Sequence, residues 1–583
     1  MHPGGLFPSC ACPETETVKH KETRMSEMIG AVAQEAMEEV DAVVVGAGFA
    51  GLYMLHLLRD KLKKRVAVFE IADGVGGTWY WNRYPGARCD IPSHHYSYSF
   101  SEELQQEWTW SEKYAAQPEI LEYLNFVANK FDLFRDIHFQ TAITSAIYDE
   151  ASAKWTIQTS AGKRILAKFF IPAVGTLSHA NIPKFKGHDS FRGDVYFTGH
   201  WPKEGVNFKG KRVGIIGTGA TAMQAIPLIA EEALHLTVFQ RTPNYAAPLM
   251  NAPMDPVLDQ QAKAMYPELR RQAWDSFAGV PFERLKPSAL EVTHNERVAH
   301  YEACWNDGGF SLWIGSYQDI LFDKRANETA AEFVRGKIRA RVKDPAIADM
   351  LCPPVGQTYG TKRQPCETNY YETYNRDNVT LVDIKKAPIE EITETGITTT
   401  DASYEFDCLI YATGFDAFTG ALFKMDIRGR NGQTLKERWS TGPRTLVGLA
   451  AHGFPNMFTI TGPQSPSVLF NMPLGIEMHC EWIAECIEHM SENGIASIEA
   501  NEREEDDWIA HVKEVADASL LPEATSWYLG ANIPGKPRVF MVYLGGGKHY
   551  KDVISTIAHN GYTGFTLDRQ QRLTDAPESV PTA

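Results

Sequence analysis

Two glycine-rich turns, each set between an apolar strand and a helix, constrain this chain more than any other feature. The first, Gly46-Ala47-Gly48-Phe49-Ala50-Gly51, follows Asp41-Ala42-Val43-Val44-Val45. A valine-rich run of this kind reads as a strand buried on both faces of a parallel sheet. A helix through Leu52, Leu55 and Leu58 comes next, then a second strand from Arg65 to Glu70. In such a βαβ unit the glycines permit a tight turn and close approach of a pyrophosphate, and the helix N-terminus supplies N–H donors. Glu70 closes the second strand about 20 residues after the turn, where an acid that binds a ribose belongs. A bare G-x-G-x-x-G pattern is weak. Strand, turn, helix, strand and acid together are specific.

The second unit repeats the plan with one change. Lys211 to Ile216 is the strand, Gly217-Thr218-Gly219-Ala220-Thr221-Ala222 the turn, Ala220 to Ile229 the helix and Leu236 to Phe239 the next strand. The acid is absent, and Gln240-Arg241-Thr242 takes its place. A carboxylate there would repel a ribose 2′-phosphate, whereas an arginine attracts it. Two turns predict two bound dinucleotides, a flavin (FAD, marked by Glu70) exchanging electrons with NADPH.

Composition excludes several other classes. At 583 residues the chain is long enough for several domains. Its net charge of −16, from 73 acidic against 57 basic residues, disfavours a nucleic-acid backbone as partner. Any important cation should therefore be local, at an anionic ligand. Nine scattered cysteines fit neither a disulfide framework nor a metal site, so no metal is expected, Cys10 and Cys12 included. With no long apolar run and no signal-peptide pattern, the chain reads as a soluble cytoplasmic protein without an integral membrane segment.

From about Pro248 to Pro354 the patterning turns helical. Thr293-x-x-Glu296 reads as a capping box, and Asn327 as the cap of a helix running to about Val342. Strand patterning returns at Val379 to Val382 and at Tyr404 to Ala412, which runs into Thr413-Gly414-Phe415. The N-terminal residues read as a polar extension with a short helix around Glu35 to Glu39, and the last residues as a disordered tail.

Two further segments carry chemistry. In Gly76 to Asp90, GGTWYWNRYPGARCD, the glycines and Pro85 indicate a tight loop, and Trp79 and Trp81 offer flat faces for a flavin ring. Composition alone equally allows an aromatic loop packing its own core. In Gly360 to Leu381, Lys362 and Arg363 are adjacent cations. On a loop their side chains diverge, one toward a phosphate and one toward the flavin; a solvated charge pair is the plainer alternative.

With these segments, GPQSPSVLFNM (Gly462 to Met472) and SWYLGANIPGKPRVF (Ser526 to Phe540), the chain resembles the type I Baeyer–Villiger monooxygenases from about Val40 to Leu567. The resemblance implies an α/β fold of two Rossmann-like, three-layer dinucleotide-binding domains with a helical insertion. Residues 1–37 would be an extension. An FAD-binding domain would span 38–175 and 409–568, and an NADPH-binding domain 176–247 and 355–408. The helical insertion would occupy 248–354, and the tail 569–583. By resemblance Arg363 stands over the flavin and stabilises a negative peroxyflavin, and Asp90 orients it. Gly46, Gly48, Gly51, Glu70, Thr78, Trp79 and Tyr96 contact FAD. Gly217, Gly219, Arg241, Thr242 and Lys362 hold NADPH, over which Trp527 closes on a mobile loop. Ser467, Val468, Leu469 and Met472 flank the substrate pocket.

The family fingerprint F-x-G-x-x-x-H-x-x-x-W-[PD] is matched at Phe191, Gly193, Trp201 and Pro202, but its histidine position holds Phe197. His200 lies three residues on; on a strand it would face the opposite side from Phe197. The implied reaction inserts one atom of O2 beside a ketone carbonyl through a C4a-peroxyflavin, giving an ester or lactone. A bulky cyclic or aryl ketone is the expected substrate, with sulfoxidation as a side activity, in a monomer or weak dimer. Three alternatives stand beside it. A flavin N- or S-monooxygenase shares both turns. A disulfide reductase would need a redox cysteine pair. A weakly coupled NADPH oxidase or redox sensor would suit the loss of the histidine.

Overall fold

The computed structural model describes residues 37–569. The strands of its two large sheets, in chain order, are β1 (Glu38–Val45), β2 (Val66–Phe69), β3 (Ile137–His138), β4 (Ile143–Asp149), β5 (Lys154–Thr159), β6 (Arg164–Pro172), β7 (Asp194–Phe197), β8 (Arg212–Ile216), β9 (His235–Gln240), β10 (Val379–Asp383), β11 (Cys408–Tyr411) and β12 (Asp426–Arg428). They form a seven-stranded sheet ordered β12-β4-β5-β6-β1-β2-β3 and a five-stranded sheet ordered β10-β9-β8-β11-β7. All pairings in the second sheet are parallel, as are those around β1 in the first. Val43 and Val44 of β1 are fully buried, as a central parallel strand requires. Each such side chain contributes about 1.5–3 kcal/mol of burial free energy.

Both glycine turns open helices: α1 (Phe49–Leu55), which continues as a π-turn to Lys61, and α2 (Ala220–Glu232). Late in the chain, α3 (Met472–Glu492) returns to pack on α1, where the Tyr53 hydroxyl donates to Glu481 at 3.0 Å. Between β9 and β10 the chain leaves the second sheet for helices, among them Pro256–Ala264, His294–Asp307 and Lys324–Arg341. Among the described residues, no helix is long and apolar enough to cross a membrane.

The chain passes between the sheets twice, after β6 and after β11, and the two crossings are hydrogen-bonded to each other. Asn181 N–H donates to Gly414 O (2.9 Å), Asp416 N–H to His179 O (2.8 Å) and Phe418 N–H to Thr176 O (2.8 Å). The Thr413 hydroxyl donates to Asn181 O at 2.6 Å. Backbone that would otherwise need water is thereby satisfied where the cavity between the sheets lies.

Four local expectations are corrected. The Thr293–Glu296 capping box is present, but the helix Lys324–Arg341 is capped by Asp323, not Asn327. It starts a turn earlier, and Asn327 is buried within it, donating to Ile320 O and Tyr359 O. The strand from Tyr404 to Ala412 is broken: Ser403–Glu405 joins a small antiparallel sheet, while Cys408–Tyr411 joins the large parallel one. Glu38 and Glu39 open β1 beside Ile165 and Leu166 instead of ending a helix. His200 lies in a 3-10 turn, Thr198–His200, so strand alternation does not set its direction against Phe197. The extension before residue 37, with Cys10 and Cys12, lies outside the described residues, as does the tail after Arg569. Arg569 itself ends a strand, Phe565–Arg569.

The turn glycines differ in what they permit. A Cβ on Gly51 would lie 1.8 Å from Gly46 O, whereas one on Gly219 would meet nothing within 4 Å. Gly51→Ala should therefore cost about 1–3 kcal/mol through forced backbone separation. Gly219→Ala should leave stability unchanged and weaken nucleotide binding only. Thermal unfolding and nucleotide titration of the two variants check this contrast.

Candidate functional site

A cavity of about 1490 Å³ joins the two turns, with Gly46, Gly48, Gly217 and Gly219 on its wall. At the first turn Gly46 has φ +105°, and its Cβ position lies 2.6 Å from Ala173 O. Gly48 faces Gly77 of the aromatic loop, its Cβ position 3.3 Å from Gly77 Cα. Gly51 is off the wall and serves the packing of α1 on β1. Glu70 is buried and accepts hydrogen bonds from Ala47 N–H (2.7 Å) and Ala72 N–H (2.8 Å). Burial pushes its carboxyl up, and these amide donors oppose the shift. A carboxylate held this way keeps acceptor capacity for a ribose hydroxyl.

The loop from Gly76 to Asp90 lies along the same wall. Thr78 and Trp79 open a short helix, and the Trp79 indole donates to the Tyr96 hydroxyl at 3.1 Å, their rings edge to face. The loop also reaches the second unit: the Tyr84 hydroxyl donates to Gln224 of α2 (2.9 Å), whose amide donates to Arg88 O (3.1 Å).

At the second turn Gly217 has φ +114°, with its Cβ position 2.4 Å from Ala412 O, so only glycine fits. Arg241, Thr242 and Lys362 converge on the wall. Burial lowers the Lys362 ammonium, and the like charges of Arg241 and Lys385 lower it further. Neither Arg241 nor Lys362 has an ion-pair partner among the described residues. Cations gathered without a carboxylate form an anion site. Lys385 was not legible in the sequence. It is brought there because β10 pairs with β9, setting Asp383 beside Gln240 and the following residues beside Arg241.

Arg363 and Asp90, 273 residues apart, form an ion pair on the cavity wall. Arg363 Nη2 alone contacts both carboxylate oxygens, at 2.7 and 2.8 Å. Its Nη1 and Nε have no protein acceptor among the described residues. The Phe310 ring lies 5.4 Å from the guanidinium. Burial is the largest influence on the guanidinium and pulls its pKa down; the Asp90 carboxylate, together with smaller contributions from Tyr528, Cys366 and Cys89, opposes it and leaves the guanidinium raised overall. Asn244, which the sequence did not single out, donates to Arg363 O at 3.1 Å.

Trp527 lines the cavity from a 3-10 turn, 6.3 Å ring to ring from Phe418. The rest of its loop is tied to the second crossing. Lys536 Nζ donates to Asp416 (2.5 Å) and Ala417 O (2.7 Å), and Asn532 donates to Phe415 O (2.8 Å). The cavity wall also includes apolar Phe277, Val280, Leu321 and Phe470, together with Val468, Leu469 and Met472. Ser467 is buried off the wall, and its hydroxyl has no partner among the described residues. In the fingerprint string, Trp201 is buried, and its N–H donates to Trp81 O at 3.3 Å. Phe197 stacks on Tyr411 at 5.1 Å.

The family described as pyridine nucleotide-disulphide oxidoreductase matches residues 43–268, a span holding both glycine turns. A Baeyer-Villiger monooxygenase of Pseudooceanicola batsensis is 44% identical over 533 residues, 91% of this chain and 97% of that protein. Among solved structures, an oxidised steroid monooxygenase bound to NADP is 51% identical with a TM-score of 0.87, covering 91% of this chain and 100% of the other. The OTEMO complex with FAD and NADP is 41% identical with a TM-score of 0.87, covering 91% and 99%.

The cation cluster makes a separable prediction. In calorimetric titration, Arg241→Ala combined with Lys362→Met should weaken binding of 2′,5′-ADP by roughly tenfold to a hundredfold. Binding of 5′-ADP, which lacks the 2′-phosphate, should hardly change.

Proposed function

Because this chain belongs to the Baeyer–Villiger monooxygenase family, we propose that Arg363, held by Asp90, is its catalytic cation and that its substrate is a bulky cyclic or aryl ketone. The enzyme uses FAD and NADPH. Ketone, O2, NADPH and a proton become ester or lactone, NADP+ and water. The residues present fit both cofactors: positive-φ glycines line a shared cavity, Gly219 leaves room where a Cβ would stand, and Arg241 and Lys362 line the same cavity without an ion-pair partner among the described residues, with the charge of Lys385 close enough to act on Lys362. Gly46, Gly48, Glu70, Thr78, Trp79 and Tyr96 would hold FAD. Gly217, Gly219, Arg241, Thr242 and Lys362 would hold NADPH, and Trp527 would cover it. Bound flavin supplies hydride acceptance and activation of O2.

The observation that carries the reading is the geometry of Arg363. One nitrogen is spent on Asp90, while Nη1 and Nε have no protein acceptor among the described residues, and Arg363 lines the cavity. A guanidinium stabilises a developing oxyanion without giving up its proton, and in a cavity shielded from water that interaction is strong. Asp90 fixes the plane of the group and balances its charge during substrate entry. The apolar wall of Phe277, Val280, Leu321 and Phe470 suits the hydrocarbon body of a ketone. The Trp527 loop, latched by Lys536, excludes water.

Cys89 is the single cysteine on the cavity wall among the described residues, and burial pushes its thiol up, away from a reactive thiolate. This does not support dithiol chemistry.

Two outcomes are expected from product analysis by mass spectrometry. The parent should convert cyclic and aryl ketones to the ester or lactone with little hydrogen peroxide. Arg363→Ala should lose about 100-fold or more of ester formation and divert NADPH oxidation to peroxide. Ester formation at the parent rate would exclude the assigned role.

A further inference from the structure

Position 197, the fingerprint's histidine position, is the last residue of β7 and the register partner of Tyr411, the last residue of β11. Phe197 offers this site only a ring face. Tyr411 is nevertheless not left without a polar contact. Its ring is buried, with Phe197 stacked at 5.1 Å and 17° and Phe185 at 6.4 Å and 29°. Its hydroxyl shares a hydrogen bond of 2.9 Å with His188 Nδ1, and the imidazole meets the phenol ring edge-on at 5.3 Å.

His188 comes from the first crossing and is held by its own turn. Gly187 has φ +73°, and its Cβ position lies 2.1 Å from Ile392 O. Ser190 Oγ donates to Gly187 O at 2.7 Å and to Ile392 O at 3.2 Å, and Ile392 N–H donates to Lys186 O at 2.8 Å. Tyr411, for its part, is where the second crossing begins. The next residue, Ala412, donates its N–H to Ile216 O at 2.9 Å, and its carbonyl sits against Gly217 of the second nucleotide turn. Thr413 and Gly414 then bond Asn181 of the first crossing. One phenol hydroxyl thus ties the first crossing to the strand end that supports both the second turn and the second crossing.

We propose that His188 is a positioning residue: by hydrogen-bonding Tyr411 it supplies the polar anchor that Phe197 cannot, and it sets the second nucleotide turn against the first. The inference rests on the reading that both turns hold cofactors. It does not depend on which substrate is oxygenated. Burial pushes the Tyr411 phenol up to about 12, so the hydroxyl is neutral and available to the bond. An unpaired buried hydroxyl is unfavourable, so loss of the imidazole should loosen the ring and, with it, the start of the crossing.

The test compares His188→Ala, His188→Asn, Tyr411→Phe and the His188→Ala/Tyr411→Phe double variant in the FAD-loaded full chain. Hydrogen exchange is read at the amides of Asn181, Asp416 and Phe418, which bridge the crossings. The anaerobic rate of flavin reduction by NADPH is read from the loss of flavin absorbance, with thermal unfolding alongside. His188→Ala and Tyr411→Phe should each speed exchange at these amides and slow reduction by about threefold to tenfold. The double variant should be no worse than either single one. His188→Asn, whose amide reaches the Nδ1 position, should restore both readouts. Parental exchange and reduction in His188→Ala would overturn the proposal, even with a lowered Tm, because the residue would then be merely structural. Effects that multiply in the double variant would overturn it too. Both readouts precede oxygen transfer, so failure of ketone oxygenation would leave them decisive.

Discussion

The two crossings between the sheets are paired with each other, and most of the site depends on that pairing. Residues 176–181 and 413–418 exchange backbone hydrogen bonds as a short ribbon. A single linker would leave the two nucleotide turns free to swing. A ribbon with satisfied backbone groups resists both separation and twist. The loop carrying Trp527 is latched onto the same ribbon through Lys536 and Asn532. The aromatic loop from Gly76 to Asp90 adds a second bridge by bonding α2 and the fingerprint string.

Electrostatics follow from this placement. The chain carries a net charge of −16, yet Arg241, Lys362 and Lys385 converge without a carboxylate partner among the described residues. Arg363 is treated differently. It is neutralised by Asp90 through Nη2 only, which leaves the N–H donors of Nη1 and Nε without a protein acceptor among the described residues. An acidic protein keeps such cations for ligands, because elsewhere a cation would be paired on the surface at little gain.

Much of the fold was legible because its signals are local. A buried strand declares itself through an apolar run, and a nucleotide turn through glycines at fixed spacing. The errors were local too, and each arose where tertiary partners outweighed the pattern. Asn327 looks like a helix cap, but its amide is consumed inside the helix by Ile320 and Tyr359. Tyr404 to Ala412 looks like one strand, yet its two ends join different sheets. Ser467 falls in a segment that flanks the pocket, but a residue's side of the wall is set by the 3-10 turn it occupies. Lys385 and Asn244 carried no motif, and Lys536 lies within the segment Ser526 to Phe540 without its role being marked there, because what makes each matter is a neighbour far away in sequence.

By itself, the sequence pointed to two nucleotide units and to unequal tenants for them. Positive-φ turns demand glycine, and an acid or an arginine after the second strand discriminates a ribose hydroxyl from a phosphate. It also exposed Phe197 as a departure from the fingerprint. Only the tertiary structure decided what completes each unit. Asp90 meets Arg363 across 273 residues, Lys385 joins Arg241 through the pairing of β10 with β9, and His188 reaches Tyr411 opposite Phe197. These are contacts between side chains whose separation along the chain bears no relation to their separation in space, so no periodicity or spacing could have announced them.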